Sequence, residues 1–421
     1  MKEKTIAIVL GGTNAHIALI NNLKIRGYYI ILIDYLENPP AKDFADEHLR
    51  ESTLDREKVL EIATNFKASL VISTSIDQAN NIACYVAEKL GLPKPYSYET
   101  ALNVTDKLLM KKIMIENGIP TSKFISIEDF SEFDDSILMF PLVVKPSDST
   151  GSKGVRKANT NLEVKYFFGK ALKVSRNKKV IIEEYVNGME IQIDCFISHN
   201  QTKIIMIRQK NQIRVNGNFT MQSVGSSIPT EVSEVGQNKI QQISNHIASV
   251  FNLNNTPLFI QAIIDKNDNI SVVEFAPRVG GGLSYRLIEL YTGFDFLNAS
   301  IDSFLNITPT IEIKKSKYIL ESVIIYSKAG IFDRITGHQK LLEDKIIEEF
   351  FFFVSKGMQI SSDMSTKSRV GAFIVKADSK DELNKKVITA INALQVFDVN
   401  GTPIMRKDIY KKLNATNSFL P

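Results

Sequence analysis

The stretch 141–155, with the sequence PLVVKPSDSTGSKGV, constrains this chain more than any other. A β-branched apolar strand ends at Lys145, and small residues that let backbone N–H groups approach anionic oxygens follow it. The Walker pattern is not matched, because Lys153 is followed by Gly154 and the glycine spacing differs. The stretch therefore predicts a phosphate-binding loop of another kind, with a flexible turn and a chance lysine as the alternative. The loop residues are Ser147, Ser149, Thr150, Gly151, Ser152 and Gly154.

Length and charge exclude several classes of protein. A chain of 421 residues is too long for one ordinary core, so two or three domains are expected. Its hydrophobic content of 44% is that of a globular protein. The net charge is only +4, and the 51 basic residues are interleaved with 47 acidic ones. We therefore expect no nucleic-acid partner.

Cysteine usage and hydropathy bear on the compartment. Cys84 and Cys195 form neither a disulfide framework nor a metal-binding spacing. The first residues contain no apolar signal core, and no apolar run approaches the roughly 18 residues that cross a bilayer. We expect a cytoplasmic protein without a membrane partner. The most apolar stretch, Phe350 to Val354, is predicted as a strand buried on both faces.

Strand and helix patterns alternate through the first 91 residues. Apolar strands are predicted at Thr5 to Leu10, Tyr28 to Asp34 and Ser69 to Ser73, with amphipathic helices between and after them. This order predicts a parallel, helix-covered sheet of Rossmann type. Gly11-Gly12-Thr13 followed by Asp34 raises the alternative of a nicotinamide dinucleotide site. The three-glycine fingerprint of such sites is incomplete, however.

The pattern changes after the phosphate-binding loop. Thr105 is predicted to cap a basic helix, Asp106 to Asn117, ahead of the loop, and two alternating strands, Glu190 to Ser198 and Thr202 to Lys210, come after it. Antiparallel pairing of this kind indicates a second domain. The predicted domains are 1–95, a Rossmann-like domain; 96–310, with a small lid lobe at about 120–188; and 311–421, a C-terminal lobe.

Four features occur in a fixed order: Lys107 early on a helix, Lys145 before the glycine-rich loop, the segment EEYV at 183–186 ahead of Glu190, and Glu274 ahead of Arg278. In this order the chain resembles the ATP-grasp superfamily over roughly residues 1 to 310, and among its members the L-amino acid ligases and the carbamoyl-phosphate synthetase large subunit. The resemblance implies an α/β and α+β multidomain protein, with a Rossmann-like domain, an ATP-grasp fold with antiparallel sheets, and a C-terminal lobe.

The resemblance also implies how ATP is held. Lys107 and Lys145 match the lysines that contact the nucleotide phosphates. Glu183 would face the adenine amino group, and Glu190 would accept both ribose hydroxyls. The remaining ATP-binding residues implied are Ser149, Ser152 and Gly154 of the loop and the backbone of Glu184, Tyr185 and Val186.

Magnesium is the implied metal, with Mn²⁺ as an alternative. Gln261 and Glu274 match the family's metal positions on adjacent strands. The chain departs from the commonest pattern at two places: Gln261 stands where many members have Glu, and Ala276 stands where they have Asn. The carbamoyl-phosphate enzymes also use Gln at the first position. Whether one or two metal ions bind therefore stays open.

The implied reaction joins a carboxylate to an amine. Arg278 and Lys145 would be catalytic, because both offset charge on the transferring phosphoryl group. Arg278, Gly281, Gly282 and Arg286 would bind substrate, the last as a carboxylate clamp. A small-molecule substrate pair and a homodimer are expected. The alternatives are a carboxylase or carbamoyl-phosphate-type enzyme that acts on bicarbonate, and a non-catalytic ATP-binding regulator.

Overall fold

A computed structural model describes residues 4–148, 153–215, 220–314, 316–361 and 366–412. Four predicted loop residues, Ser149, Thr150, Gly151 and Ser152, lie outside this described part of the chain. The predictions for Ser149 and Ser152 therefore stay predictions.

The strands of the described residues, numbered in chain order, have the following bounds: β1 Ile6–Leu10, β2 Tyr29–Ile33, β3 Glu47–Leu49, β4 Leu70–Ile72, β5 Phe124–Ile127, β6 Leu142–Pro146, β7 Arg156–Ala158, β8 Val180–Glu184, β9 Met189–Ser198, β10 Gln201–Val215, β11 Thr220–Ile228, β12 Thr256–Ile264, β13 Ile270–Ala276, β14 Ile319–Tyr326, β15 Gly330–Thr336, β16 Glu349–Phe352, β17 Gln359–Ile360, β18 Arg369–Ala377 and β19 Gln395–Asp398.

The α-helices of the same residues are α1 Asn14–Ile25, α2 Arg56–Asn65, α3 Asp77–Leu90, α4 Tyr98–Thr105, α5 Lys107–Glu116, α6 Asn161–Val174, α7 Glu234–Val250, α8 Ser284–Thr292, α9 Phe296–Phe304, α10 His338–Glu343 and α11 Lys380–Ala393.

The N-terminal sheet has the strand order β3-β2-β1-β4, and every pairing in it is parallel. Its strands β1, β2 and β4 are almost continuously apolar, as strands covered by helices on both faces must be, whereas the edge strand β3 is only half-buried. Ile8 pairs with Ile31 on one side and with Val71 on the other, and all three are fully buried. The prediction of a Rossmann-like sheet is confirmed.

Neighbouring residues occupy the space beside the turn that follows β1. The N–H of Gly12 donates to the Oδ2 of Asp34 at 2.7 Å, and a Cβ at Gly12 would lie 2.5 Å from the Cβ of Pro39. A Rossmann dinucleotide site needs this turn open, because the pyrophosphate approaches the backbone there. The geometry therefore argues against the nicotinamide alternative.

The middle of the chain forms a lid sheet and most of a larger sheet. The lid lobe has the antiparallel order β5-β8-β6-β7, with α6 packed against it. The large sheet has eight strands in the order β13-β12-β9-β10-β11-β14-β18-β16. Its last three strands come from beyond residue 310, so hydrogen-bonded pairing continues across the predicted boundary between the ATP-grasp domain and the C-terminal lobe.

Two local predictions are corrected, and one strand was missed. The stretch from Phe350 to Val354 contains β16, which ends the large sheet at its edge, and Phe352 is 39% exposed, so the strand is not buried on both faces. Helix α5 is capped by Asp106 rather than Thr105, whose hydroxyl donates instead to the carbonyl of Ala101. Strand β11 was not predicted, although it joins β10 to β14.

Candidate active site

Helix α5 brings two lysines to the junction of the lid and the large sheet. The carboxylate of Asp106 accepts from the N–H groups of Leu108 and Leu109, which fixes the first turn. Lys107 and Lys111 are four residues apart and therefore share one face of the helix. The Nζ of Lys107 lies 2.9 Å from the Oε2 of Glu274, so α5 is tied directly to strand β13.

Lys111 and Lys145 share one buried carboxylate. In the β6–β8 pair, Val143 lies opposite Glu183 and Lys145 opposite Ile181, so Lys145 and Glu183 are diagonal neighbours. The Nζ of Lys145 donates to the Oε1 of Glu183, and the Nζ of Lys111 lies 2.9 Å from its Oε2. Lys111, which is 1% exposed, was not predicted as a site residue.

The charge of Glu183 is fixed by these lysines. Burial alone would raise the pKa of its carboxyl group, but Lys145 and Lys111 outweigh burial and lower the pKa to about 2. The hydroxyl of Ser122 also donates to its Oε2 at 2.9 Å. Glu183 is therefore ionised at neutral pH and holds Lys145 at the root of the phosphate-binding loop. A carboxylate accepts further donors, so contact with an adenine amino group stays a prediction.

Two backbone N–H groups in the segment that follows Glu183 already donate hydrogen bonds within the protein. The N–H of Glu184 donates to the carbonyl of Lys123 at 3.0 Å, and the N–H of Tyr185 donates to the carbonyl of Pro141 at 2.9 Å. These two N–H groups therefore serve the lid itself. If this segment pairs with the adenine edge, as predicted, it must do so through its carbonyl groups and through the backbone of Val186.

Glu190 is surrounded by donors. Its carboxylate accepts from the Nζ of Lys210, from the Nε2 of Gln261 and, at 2.6 Å, from the Nε2 of Gln212. These contacts place Glu190 beside the predicted metal residue on β12. Its contact with ribose hydroxyls stays a prediction.

Gln261 and Glu274 lie directly opposite each other in the β12–β13 pair. The Nε2 of Gln261 donates to Glu190, so the amide oxygen is the atom it can offer to a cation. Lys107, followed by Lys145 and Lys210, lowers the pKa of Glu274 to about 2, even though burial opposes this. One carboxylate and one amide oxygen side by side suit Mg²⁺, which takes oxygen ligands and completes its shell with phosphates and water.

The departure at Ala276 is also visible in the structure. Ala276 pairs with Phe259, so neither residue of this pair carries a side-chain oxygen. Among the described residues, no group of three or more His, Cys, Asp and Glu side chains has a metal-binding arrangement. The number of metal ions stays open.

Arg278 is held by the N-terminal domain. Its Nε and Nη2 donate to the two carboxylate oxygens of Asp77, at 2.7 and 2.9 Å, and its Nη1 donates to the carbonyl of Val279 at 2.9 Å. Such a two-pronged pair fixes the plane of the guanidinium. Burial alone would lower the pKa of Arg278, but Asp77, with Glu274 and Tyr96, outweighs burial and raises the pKa, so the arginine is charged.

One cavity of about 410 Å³ lies where the N-terminal domain, α5 and the large sheet meet. A volume of this size suits a small-molecule substrate. Of the predicted site residues, it is lined by Lys107, Gln261, Glu274, Arg278, Gly281 and Gly282. Lys145 and Glu183 are not part of this lining. Lys145 nevertheless contributes, after Lys107, to the lowered pKa of Glu274.

Arg286 is not brought to the cavity. Its Nε donates to both oxygens of Glu349, at 2.6 and 2.8 Å, and its Nη1 donates to Glu289 at 2.6 Å. These carboxylates hold the guanidinium between α8 and β16. The structure therefore gives Arg286 a place in packing the C-terminal lobe onto α8, and the predicted substrate clamp has no support in this geometry.

The described ends of the phosphate-binding loop are anchored. The N–H of Ser147 donates to the carbonyl of Lys179, and Asp148 accepts from the N–H groups of Arg176 and Asn177. Gly154 has a φ of +78°, and a Cβ there would lie 2.9 Å from the ring of Pro146. Glycine is therefore required where the loop returns to the lid sheet.

Several cavity residues were not predicted. Asp77 begins α3, and its position after a parallel strand could have indicated a residue at the edge of the crevice. Arg208 and Lys210 alternate along a predicted strand, which could have indicated a shared face. Arg369, at the start of β18, and Phe259 also line the cavity, and no local motif marks either residue.

Comparisons with known proteins bear on this geometry. Residues 138–286 match the model of the ATP-grasp domain. This chain contains an ATP-grasp domain. The matched segment holds Lys145, Glu183, Glu190, Glu274 and Arg278, whereas Asp77, Lys107 and Lys111 precede it.

Individual relatives are distant. The chain is 24% identical to a formate-dependent phosphoribosylglycinamide formyltransferase of Prochlorococcus marinus, over 88% of this chain and 93% of that protein. It is 25% identical to a D-alanine–D-alanine ligase of Thermosipho africanus, over 52% of this chain and 61% of the ligase, which is less than two thirds of the ligase's length.

Solved structures share the fold. The L-amino acid ligase of Bacillus licheniformis superimposes with a TM-score of 0.76 at 18% identity, covering 94% of this chain and all of the ligase. The biotin carboxylase domain of a Hydrogenobacter thermophilus 2-oxoglutarate carboxylase, a dimer with MgADP and bicarbonate, gives 0.76 at 15% identity over 97% of this chain and 93% of that domain.

The predicted class is confirmed: the chain is similar to ATP-grasp ligases, and one solved structure that shares its fold contains MgADP. The substrates are a separate question. In the described part of the chain, none of the helices has both the length and the apolar character needed to span a bilayer.

Proposed function

We propose that this chain is a carboxylate–amine ligase that forms an amide through an acyl phosphate, with an amino acid among its substrates. The observation that supports it most is the meeting of Lys107, Gln261, Glu274 and Arg278 around one cavity, with Lys145 acting on Glu274 from the lid side. Cations and metal-type oxygens at one point are what a transferring phosphoryl group requires.

In the first step, a substrate carboxylate oxygen attacks the terminal phosphorus of ATP, and ADP leaves with the electron pair of the broken P–O bond. Lys145 and Lys107 lie on two sides of the site and offset phosphate charge, while Arg278 can bind two oxygens of the transferring group. A magnesium ion at Gln261 and Glu274 would supply further charge neutralisation between the last two phosphates.

In the second step, the amine nitrogen attacks the acyl carbon, phosphate leaves, and the nitrogen loses a proton. Arg278 is held in orientation by Asp77, so it faces the cavity before substrate arrives. The glycine-rich loop, whose described end at Ser147 is hydrogen-bonded to the carbonyl of Lys179, would cover the site and limit hydrolysis of the acyl phosphate.

The test is phosphate release from ATP and magnesium in a matrix of the twenty amino acids taken singly and in pairs, with formate and bicarbonate as further acids. We expect release that needs both an acid and an amine. Arg278→Ala should lose turnover, whereas Arg286→Ala is the control for loss of an arginine outside the cavity. Release with bicarbonate alone would favour the carboxylase alternative, and MgATP binding without turnover under any condition would favour the regulator.

We propose a homodimer in the cytoplasm, with Mn²⁺ able to replace Mg²⁺. A dimer is supported only by analogy with the dimeric biotin carboxylase domain that shares the fold. Sedimentation equilibrium at micromolar concentration tests the assembly, and replacement of Mg²⁺ by Mn²⁺ in the phosphate-release assay tests the metal.

A further inference from the structure

Arg208 is a buried cation with one donor left over. The residue is 3% exposed; its Nε donates to the Oδ2 of Asp194 at 3.1 Å, and its Nη1 donates to the hydroxyl of Ser226 at 3.2 Å. Its Nη2 has no hydrogen-bond partner among the described residues. A buried charged donor without a partner is costly. Because Arg208 also lines the cavity, a ligand there can supply the missing acceptor.

Two serines stand beside it. The hydroxyls of Ser226 and Ser322 lie 3.2 Å apart, and the N–H of Ser226 donates to the hydroxyl of Ser322 at 3.1 Å. Both serines line the same cavity as Arg208. A guanidinium with neighbouring hydroxyl groups is a set of donors suited to the oxygens of a carboxylate or a phosphate.

This cluster is close to Arg278 but separate from the metal residues. The guanidinium carbons of Arg208 and Arg278 lie 5.9 and 5.8 Å from the centroid of the Phe259 ring, so both cations fit within reach of one small molecule. Gln261 and Glu274 lie on β12 and β13, whereas Arg208, Ser226 and Ser322 lie on β10, β11 and β14. The cluster is thus displaced across the sheet from the predicted place of phosphoryl transfer.

The charge of the cavity agrees with a second anion. Among the described residues that line it, five side chains are cationic and two, Asp77 and Glu274, are carboxylates. Those two carboxylates are bound to Arg278 and Lys107, and Glu190 binds Lys210. Arg208 has Asp194, but that pair leaves the Nη2 unused. The cations are Lys107, Arg208, Lys210, Arg278 and Arg369.

We propose that Arg208, Ser226 and Ser322 form an oxyanion subsite that binds a carboxylate or phosphate group of the amine-bearing substrate. This inference rests on the ligase function proposed above. The acid that is activated lies near Gln261 and Glu274, and the amine substrate reaches it from the β10–β14 side of the cavity while its own anionic group stays on Arg208.

Ser322 is a better position for the test than Arg208. Removal of Arg208 would leave Asp194 fully buried without its cation, so such a variant is expected to unfold. In Ser322→Asp, a carboxylate attached to β14 can extend into the cavity and occupy the donors of Arg208. Ser322→Asn has nearly the same shape without the charge and is the matched control.

The experiment titrates three amines into the full chain saturated with MgADP and measures the heat of binding. The probes are ethanolamine, β-alanine and O-phosphoethanolamine, which share a two-carbon amine and end in a hydroxyl, a carboxylate and a phosphate. We expect at least one anionic probe to bind about tenfold more tightly than ethanolamine, as a charge-assisted contact provides. The better anionic probe identifies whether the natural group is a carboxylate or a phosphate.

In Ser322→Asp this preference should fall below about twofold, because the aspartate competes for Arg208. In Ser322→Asn it should fall less, because one hydroxyl of the subsite is lost but the donors of Arg208 stay open. The two variants should bind MgADP equally. The inference is overturned if the native chain shows no preference for either anionic probe, if the two variants behave alike toward the amines, or if they differ in MgADP affinity.

The binding readout separates this inference from the proposed function. If the chain binds the anionic amines with the expected preference but releases no phosphate with any acid, the subsite proposal stands and the ligase proposal fails. If the chain releases phosphate but shows no preference for an anionic amine, the ligase proposal stands and the subsite proposal fails.

Discussion

Glu183→Gln is expected to loosen the lid sheet, because one carboxylate serves two buried lysines. Lys111 and Lys145 have side chains only 2% and 10% exposed, so neither can turn to water without a larger rearrangement. Lys111 retains the hydroxyls of Thr121 and Ser122, at 2.8 and 3.1 Å. Breaking a buried pair by removal of one partner costs about 3–5 kcal/mol, and because glutamine can still accept one hydrogen bond we expect the lower end, about 3 kcal/mol.

The effect should depend on pH in a defined direction. The pKa of Glu183 is lowered from its usual 4.5 to about 2, so its stabilising effect is complete above the unfolded value and disappears as pH falls through the folded one. The difference between the native chain and Glu183→Gln should therefore be constant at neutral pH. It should shrink steadily from pH 4.5 towards pH 2.

Amide hydrogen exchange of peptides that cover β6 and β8 measures the stability of the lid sheet itself. A local measurement is needed because a chain with several cores need not unfold in one step. A loss of about 3 kcal/mol accelerates exchange on the order of a hundredfold. Glu184→Gln is the matched control, since that carboxylate accepts one N–H, from Met139, at the surface, and its loss should cost less than about 1 kcal/mol. Equal acceleration in the two variants would refute the shared-carboxylate reasoning.

Three further changes have defined outcomes. Glu274→Gln should raise the magnesium concentration for half-maximal phosphate release by about tenfold or more, read from a magnesium titration, because the only carboxylate of the predicted metal pair is lost. Asp77→Asn should lower kcat about tenfold with less than a twofold change in the KM for MgATP, since it orients Arg278 rather than binding nucleotide. Gly154→Ala should destabilise the lid by about 1–3 kcal/mol, read from amide hydrogen exchange of lid peptides. Gly169→Ala, at a mid-helix site with open space, should stabilise it by up to about 1 kcal/mol in the same measurement.

Much of the fold could be predicted because local patterns agree with it. The parallel sheet follows from apolar strands such as Ile6–Leu10 that alternate with capped helices. The basic helix predicted at Asp106 to Asn117 is observed as α5, one residue shorter at each end. Strand β11 was not predicted, because its sequence TMQSVGSSI lacks a continuous apolar alternation and carries Gly225. Its place is set by pairing with β10 and β14. Such pairing is a tertiary effect that local propensity does not contain.

The candidate site divides in the same way. Lys145, Glu183, Glu274 and Arg278 could be proposed as site residues because each lies in a motif with a fixed order along the chain, and their roles stay predictions. Their partners could not: Glu183 binds Lys111 from another element, and Arg278 binds Asp77, which is 201 residues away in sequence. Contacts of this kind depend on how domains pack, so no spacing in the sequence indicates them. Arg286 is the opposite case: it follows the glycine turn closely in sequence, but its side chain binds Glu349 and not the cavity.

Transfer of oxygen from acid to phosphate tests the central claim most directly. A mixture of the twenty amino acids, labelled with ¹⁸O in their carboxyl groups by acid exchange, is incubated with the chain, ATP and magnesium, and the released phosphate is analysed by mass spectrometry. Attack of a carboxylate oxygen on the terminal phosphorus predicts one ¹⁸O atom in each phosphate formed with amide product. Amide formation accompanied by unlabelled phosphate, or by release of pyrophosphate, would contradict an acyl phosphate at this site.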